Sequence, residues 1–205
     1  AEDKAQTKLQ QALALHNSGQ FSQARELYEE IIHTHPQHAD ALHLLGVLAA
    51  QTNEPEKALT LIEQAITLNP NKAPFYNNLG NTQQQLKQFD AALLSCNQAI
   101  ALKPDYAQAH NNRGNALQAL GQFDAALASY DQAIALKPDY AEAHNNRGHV
   151  LQVLQKLDDA LACYDEAIRL KPDYAEAHNN RGNILHLLQQ FDAALACYDQ
   201  AIALK

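Results

Sequence analysis

The 205-residue sequence has no methionine, even at its first position. That points to a trimmed or processed piece of a longer polypeptide, so a missing targeting segment says little about its address. No apolar run approaches the ~18 residues needed to span a bilayer. The opening residues, Ala1 to Lys4, are polar, so no signal peptide is in view. Basic residues are few: 15 Lys and Arg against 23 Asp and Glu, for a net charge of −8 and a pI of about 5.6. Phosphate binding needs clustered cations, so neither nucleic acid nor an anionic membrane surface is an expected partner. Cysteine is limited to Cys96, Cys163 and Cys197. An odd count at wide spacing is no disulfide framework and fits a reducing, cytoplasmic setting. There is also no nucleophile elbow, no phosphate-cradling glycine loop and no paired His–Glu metal helix. No enzymatic activity, cofactor or metal is therefore expected. What remains, 46% hydrophobic and 19% charged residues, suits a folded soluble chain.

The strongest positive signal is a ruler of 34 residues. Prolines fall on it at Pro36, Pro70, Pro104, Pro138 and Pro172, and glycines at Gly46, Gly80, Gly114, Gly148 and Gly182. Alanines follow at Ala24, Ala58, Ala92, Ala126, Ala160 and Ala194. Blocks 107–140 and 141–174 agree at 23 of 34 positions. The repeats are 5–38, 39–72, 73–106, 107–140, 141–174 and a shorter 175–205, forming one array over 1–205.

Each block reads as two helices. In block 107–140 the pattern predicts helices over about 107–120 and 124–137, with Gly121 and Gln122 in the turn. Asp124 is the expected N-cap of the second helix, repeated as Asp90, Asp158 and Asp192, with Ser22 in the first block. Pro55 fits a helix start, and the ruler prolines end each second helix. Asp139 with Glu142, and Asp173 with Glu176, have the spacing of a capping box. Gly114 and Ala126 are expected where paired helices touch, with Leu117, Tyr130 and Leu136 filling the core. Glycine inside a helix costs about 1 kcal/mol against alanine, so its recurrence implies a contact that needs it.

These glycine, alanine and proline positions resemble the tetratricopeptide repeat family over residues 5–205. The resemblance implies an all-α solenoid of six helix-turn-helix repeats, wound as a right-handed superhelix with the first helices lining its concave side. It also implies a protein-binding scaffold. There are departures. His110, His144 and His178, with Tyr76, occupy the usual aromatic site near the start of the first helix. Arg113, Arg147 and Arg181 replace the leucine before the glycine. The first block has Ala12 in place of the glycine.

On the implied concave face, helical spacing gathers Asn77, Asn78, Asn81 and Gln84, then Asn111, Asn112, Asn115 and Gln118. Asn145, Asn146, His149 and Gln152 follow, and finally Asn179, Asn180, Asn183 and His186. Blocks one and two are more apolar there, with Leu9, Leu13, Leu44 and Val47. Asparagine is a poor helix former unless it has a task. A carboxamide can pair with both the C=O and the N–H of one peptide unit, so one Asn per repeat could grip an extended partner backbone. The other reading makes the Asn pairs glue between repeats.

The register Asn78, Asn112, Asn146 and Asn180 also resembles the asparagine ladder of the arrays attached to O-linked N-acetylglucosamine transferases. That implies the substrate-selecting arm of a larger glycosyltransferase-like enzyme. A basic clamp for a C-terminal carboxylate is disfavoured, because Gln108, Glu142 and Glu176 occupy the places where Lys or Arg would stand. His33, His35, His38 and His43 cluster around the first inter-repeat loop and read as solvated, with capture of a stray metal ion as the alternative. His110, His144 and His178 stack one per repeat, as packing residues. Arg113, Arg147 and Arg181 are expected to run along the seam toward carboxylates such as Asp131 or Asp165. Leu195, Tyr198 and Ile202 would be bare at the last hairpin, so head-to-tail self-association is the rival to a peptide or helix ligand.

Overall fold

A computed structural model describes residues 2–204. Among them the chain forms twelve helices and no strand. They are α1 (Glu2–Asn17), α2 (Phe21–Thr34), α3 (Ala39–Gln51), α4 (Pro55–Leu68), α5 (Ala73–Gln85) and α6 (Phe89–Leu102), then α7 (Ala107–Ala119), α8 (Phe123–Leu136), α9 (Ala141–Val153), α10 (Leu157–Leu170), α11 (Ala175–Leu187) and α12 (Phe191–Ala203). Two compact units divide the chain, Ala1–Pro104 and Asp105–Lys205, each with three antiparallel hairpins.

The hairpin turn is built from backbone bonds. After α7, Gln122 N–H donates to the Leu117 carbonyl at 2.9 Å, and Gly121 takes a left-handed φ of +73°. This closes the helix end in the manner of a Schellman motif. The same ruler position is left-handed in every hairpin, at Gly19, Asn53, Lys87, Gly121, Gln155 and Gln189. Because the turn closes at Gln122, no residue is left to stand between it and the next helix. α8 therefore starts at Phe123, one residue before the expected start.

This corrects the capping expectation. The residue before α8 is Gln122, with no side-chain cap, and Asp124 lies within the first helical turn. Asp90, Asp158, Asp192 and Ser22 are shifted likewise. The four aspartates act through the positive end of the helix dipole instead. Neither capping box forms. The residues preceding α9 and α11 are Tyr140 and Tyr174, so Asp139 and Asp173 sit one place too early. Their carbonyls accept from Ala141 N–H at 3.1 Å and Ala175 N–H at 3.0 Å. Pro55 does open α4.

Inside every hairpin but the first, which has Ala12, the ruler glycines meet the second helix. A Cβ on Gly114 would lie 2.5 Å from the Tyr130 ring, and on Gly148 2.9 Å from that of Tyr164. Both rings are fully buried, as are Ala126 and Ala160. The glycine therefore makes room for an aromatic ring sixteen residues on.

Within each unit neighbouring first helices touch: α1 with α3, α3 with α5, α7 with α9, and α9 with α11. Among the described residues, second helices make no such contact with one another. Each unit therefore bends with its first helices on the inside, which in unit 2 brings the amide-bearing α7, α9 and α11 onto the unit's inner face.

Candidate functional site

Three asparagine registers run along the first helices, and helix geometry gives each a different environment. Residues one apart differ by ~100° around the axis. The register Asn77, Asn111 and Asn145 turns into the seam between repeats and is buried, Asn145 to 1% exposure. Asn179, its counterpart in the last hairpin, is exposed. The register Asn78, Asn112, Asn146 and Asn180 is half-buried. In the third register, Asn81 and His149 are exposed, and Asn115 and Asn183 half-buried.

The first two registers bond to each other across the seams. Asn146 Nδ2 donates to Asn111 Oδ1 at 3.2 Å and to Asn115 Oδ1 at 3.1 Å. Asn180 Nδ2 donates to Asn145 Oδ1 at 3.1 Å, and Asn145 Nδ2 donates to Glu176 at 3.1 Å. In unit 1, Asn78 Nδ2 donates to His43 Nε2 at 2.8 Å and its oxygen accepts from Asn77 at 3.4 Å. Both amide hydrogens of Asn146 are thus engaged within the stack. In this arrangement it can offer a ligand its oxygen but not the expected two-handed pairing.

The third register has a partner that sequence reasoning missed. Tyr130 OH donates to Asn115 Oδ1 at 2.8 Å and to Gln118 Oε1 at 3.0 Å. Tyr198 OH likewise donates to Asn183 Oδ1 at 2.9 Å. Where His149 replaces the asparagine, Tyr164 OH turns to Gln152 at 3.0 Å. The fixed fifteen-residue offset of Asn115 from Tyr130, repeated at Asn183 and Tyr198, was the available signal. Burial pushes the Tyr130 and Tyr164 phenols well above their ordinary range. His149 Nδ1 accepts from Gln118 Nε2 at 2.8 Å, which links two repeats along the inner face.

The arginines bind as expected. Arg147 Nε donates to Asp131 at 2.7 Å and Arg181 Nε to Asp165 at 2.5 Å. Their Nη1 atoms reach Cys163 and Cys197, both at 3.0 Å. Each guanidinium thereby ties its own hairpin to the preceding one. Arg113 Nε donates to Ser129 Oγ at 3.0 Å. The three cysteines are buried and form no disulfide among the described residues, and burial pushes the Cys163 thiol up, opposed by Arg147.

The histidines divide. His144 Nε2 meets the Pro138 carbonyl at 3.1 Å and His178 Nε2 the Pro172 carbonyl at 2.9 Å. As a carbonyl only accepts, Nε2 carries the proton in both. These rings fasten a first helix to the loop before it. In the cluster expected to be solvated, His43 is an exception. It is buried in α3, stacked on Phe75 at 4.3 Å, and burial lowers its pKa to about 4. His38 Nδ1 accepts from Ala41 N–H at 3.2 Å and caps α3, and His35 meets Thr34 Oγ1 at 2.9 Å. Among the described residues, no three His, Cys, Asp or Glu side chains are grouped to hold a metal ion.

Unit 1 presents a different inner face. Leu13, Phe21, Leu44 and Val47 line a hollow of 370 Å³ that also takes in His16 and Gln51. Leu9 is buried in the core beneath. No described helix is long and apolar enough to cross a membrane.

Models of the tetratricopeptide repeat match residues 9–73, 73–106, 95–128 and 175–205, and models described as TPR repeat match 114–155 and 153–189. No curated protein matches the sequence. Among solved structures, PilW, a type IV pilus biogenesis factor, is similar with a TM-score of 0.89 at 21% identity, covering 99% of this chain and 94% of its own. Cut9, in the APC/C hetero-tetramer Cut9–Hcn1, gives 0.91 at 20%, covering 98% of this chain and 40% of its own. A thermophilic TPR protein of Thermus thermophilus gives 0.75 at 24%, covering 89% and 99%. At these identities the likeness carries the fold alone, but the family models together tile nearly the whole sequence on the same ruler that its glycines and prolines mark. The chain belongs to the tetratricopeptide repeat family.

Proposed function

We propose that the chain is a protein–protein interaction scaffold whose inner faces hold an extended segment of a partner protein. The observation that carries this reading is the third register of unit 2, Asn115, His149 and Asn183, which stands on the inner side of first helices at one-repeat intervals. Packed helices lie ~8–10 Å apart and an extended chain rises ~3.3 Å per residue, so one contact falls to about every third peptide residue. Amide oxygens of Asn146 and Asn180, whose nitrogens are engaged across the seams, offer acceptors beside that row. Backbone recognition of this kind is tolerant of ligand sequence. The assembly of Cut9 with Hcn1 supports a partner-holding use of the same fold. The ladder's likeness to arrays on O-linked N-acetylglucosamine transferases extends the reading to an arm that selects protein substrates. The buried thiols support a reducing setting such as the cytoplasm.

The test is panning of a displayed peptide library against the chain, followed by titration of a recovered peptide. His149→Ala with Asn183→Ala leaves the bonds of Asn146 and Asn180 across the seams in place. It should weaken binding about tenfold, the loss of one or two hydrogen bonds to the ligand, with helicity unchanged by circular dichroism. Unaltered affinity would remove the inner face from the binding reaction.

A further inference from the structure

The third register of unit 2 is a row of donors, and the bonds behind it make it so. Asn115 Oδ1 accepts from Tyr130 OH at 2.8 Å and from Asn146 Nδ2 at 3.1 Å. An amide oxygen has two lone pairs, so the NH2 group is what Asn115 has left to offer a ligand. Asn183 Oδ1 accepts from Tyr198 OH at 2.9 Å, which orients that amide the same way. Between them, His149 Nδ1 faces Gln118 Nε2 at 2.8 Å. An amide nitrogen only donates, so Nδ1 accepts and the neutral ring carries its proton on Nε2. His149 is exposed, and Asn115 and Asn183 are half-buried. One N–H donor per repeat therefore stands on α7, α9 and α11, whose successive members touch within the unit. Asn81 in unit 1 has no such phenol behind it, since Cys96 stands where unit 2 carries its tyrosines.

A row of donors recognises carbonyls, and the spacing decides which backbone presents them in line. Packed helices lie ~8–10 Å apart. In a β-strand, residues two apart share a side, a repeat of ~6.6–6.8 Å, and residues three apart point to opposite sides. Its carbonyls fall out of step with the row. A polyproline II helix has three residues per turn and rises ~3.1 Å per residue, so like carbonyls recur every ~9.3 Å along one side. It makes no internal hydrogen bonds, which leaves those carbonyls free. Proline favours this conformation and lacks an N–H, a group for which a donor row has no use.

We infer that the inner face of unit 2 takes a proline-rich segment of a partner protein in the polyproline II conformation, with every third carbonyl on Asn115, His149 and Asn183. The ligand so named depends on the inner face being the binding surface. The oxygens of Asn146 and Asn180, one helical turn from the row, take the N–H of the non-proline residue in each triplet, which makes the pattern Pro-Pro-x.

The probe is a fluorescent, amidated peptide of repeated Pro-Pro-Ala triplets, titrated into the 205-residue chain and read by anisotropy. Saturable one-to-one binding is expected. A Ser-Thr-Ala repeat of equal length should bind about fivefold more weakly, because its backbone must be ordered on binding. His149→Asp with Asn183→Asp puts acceptors in place of two donors and should weaken the Pro-Pro-Ala probe about tenfold or more, with circular dichroism unchanged. The probe has no charged side chain, so the new carboxylates act on it through the lost hydrogen bonds. His149→Asn, which returns an amide donor to the row, should retain binding. Failure to saturate up to about 1 mM, or equal affinity for the two repeats, overturns the proposal. So does an affinity that the double Asp variant leaves unaltered or raises. A peptide recovered by panning that depends on His149 and Asn183, while the Pro-Pro-Ala probe is ignored, overturns the ligand and keeps the binding face, so the two readings fail separately.

Discussion

The two units share one hairpin plan and differ in how their hairpins are joined. In unit 1 the seam between α3 and α5 is aromatic and ionic: His43 lies on Phe75, and Lys72 binds Asp40 at 2.5 Å. Arg25 and Glu54 pair across the preceding seam. Where unit 2 carries Arg113, Arg147 and Arg181, unit 1 carries Leu45 and Leu79 on the same ruler. Unit 2 is joined by amides bonded to amides and by guanidinium–carboxylate pairs. The hairpin interior fixes the backbone in both, through glycines set against a second-helix side chain. Seam chemistry is therefore free to vary: the buried His43 gives unit 1 a pH-sensitive seam, while both units carry ion pairs across seams that salt screens.

The largest expected effect tests the first half of that contrast. His43 titrates near 4 in the fold against an ordinary 6.5, because burial penalises its charged form. The unfolded chain therefore binds the proton first as pH falls. The stability of unit 1 is full above pH 6.5, declines between 6.5 and about 4, and levels off below. The loss over this window is about 3 kcal/mol. Urea unfolding across the range should show it, and His43→Gln, which keeps an acceptor for Asn78, should flatten the slope. Glu54, held at about 2 by Arg25 and Thr52, responds only at lower pH. A slope unchanged in His43→Gln would assign the sensitivity elsewhere.

A middle effect comes from the glycines. Gly114→Ala drives a methyl into the fully buried Tyr130 ring, and overpacking there should cost about 2 kcal/mol. Gly80→Ala in unit 1 meets Cys96 Sγ at 2.8 Å and the Ala92 carbonyl at 3.2 Å. A thiol has far less to move than a ring, and alanine's helix propensity returns about 1 kcal/mol, so the net cost should be under about 1 kcal/mol. Chemical denaturation midpoints of the two variants should separate in that order. Equal losses would mean that the backbone carbonyl, not the side chain, sets the limit.

The hairpins were legible because three residue types recur on one spacing, and the Arg–Asp contacts because the same spacing places Asp131 and Asp165 sixteen residues before Arg147 and Arg181. Helix starts were misplaced by one residue, since a Schellman bond is made by backbone and leaves little trace in side chains. The division between buried and exposed asparagines was not legible either. Asn145 and Asn146 are the same residue in adjacent positions, and only the rotation of α9 against its neighbours turns one into the seam. His43 was misread as a loop histidine for a related reason: its burial depends on Phe75, a residue one repeat away.

The smallest expected effect moves unit 1 chemistry into unit 2. Arg147→Leu places at that ruler position the residue found at Leu45 and Leu79. It removes the bonds to Asp131 and Cys163. Asp131 is more than half exposed and returns to water, and a half-exposed ion pair contributes only about 0.2–1 kcal/mol. Net stability should therefore shift by less than about 1 kcal/mol in either direction, while the dependence of the unfolding midpoint on sodium chloride becomes shallower. A loss of several kcal/mol would show that the guanidinium is needed to position the hairpins. The two seam chemistries would then not be interchangeable solutions to one packing problem.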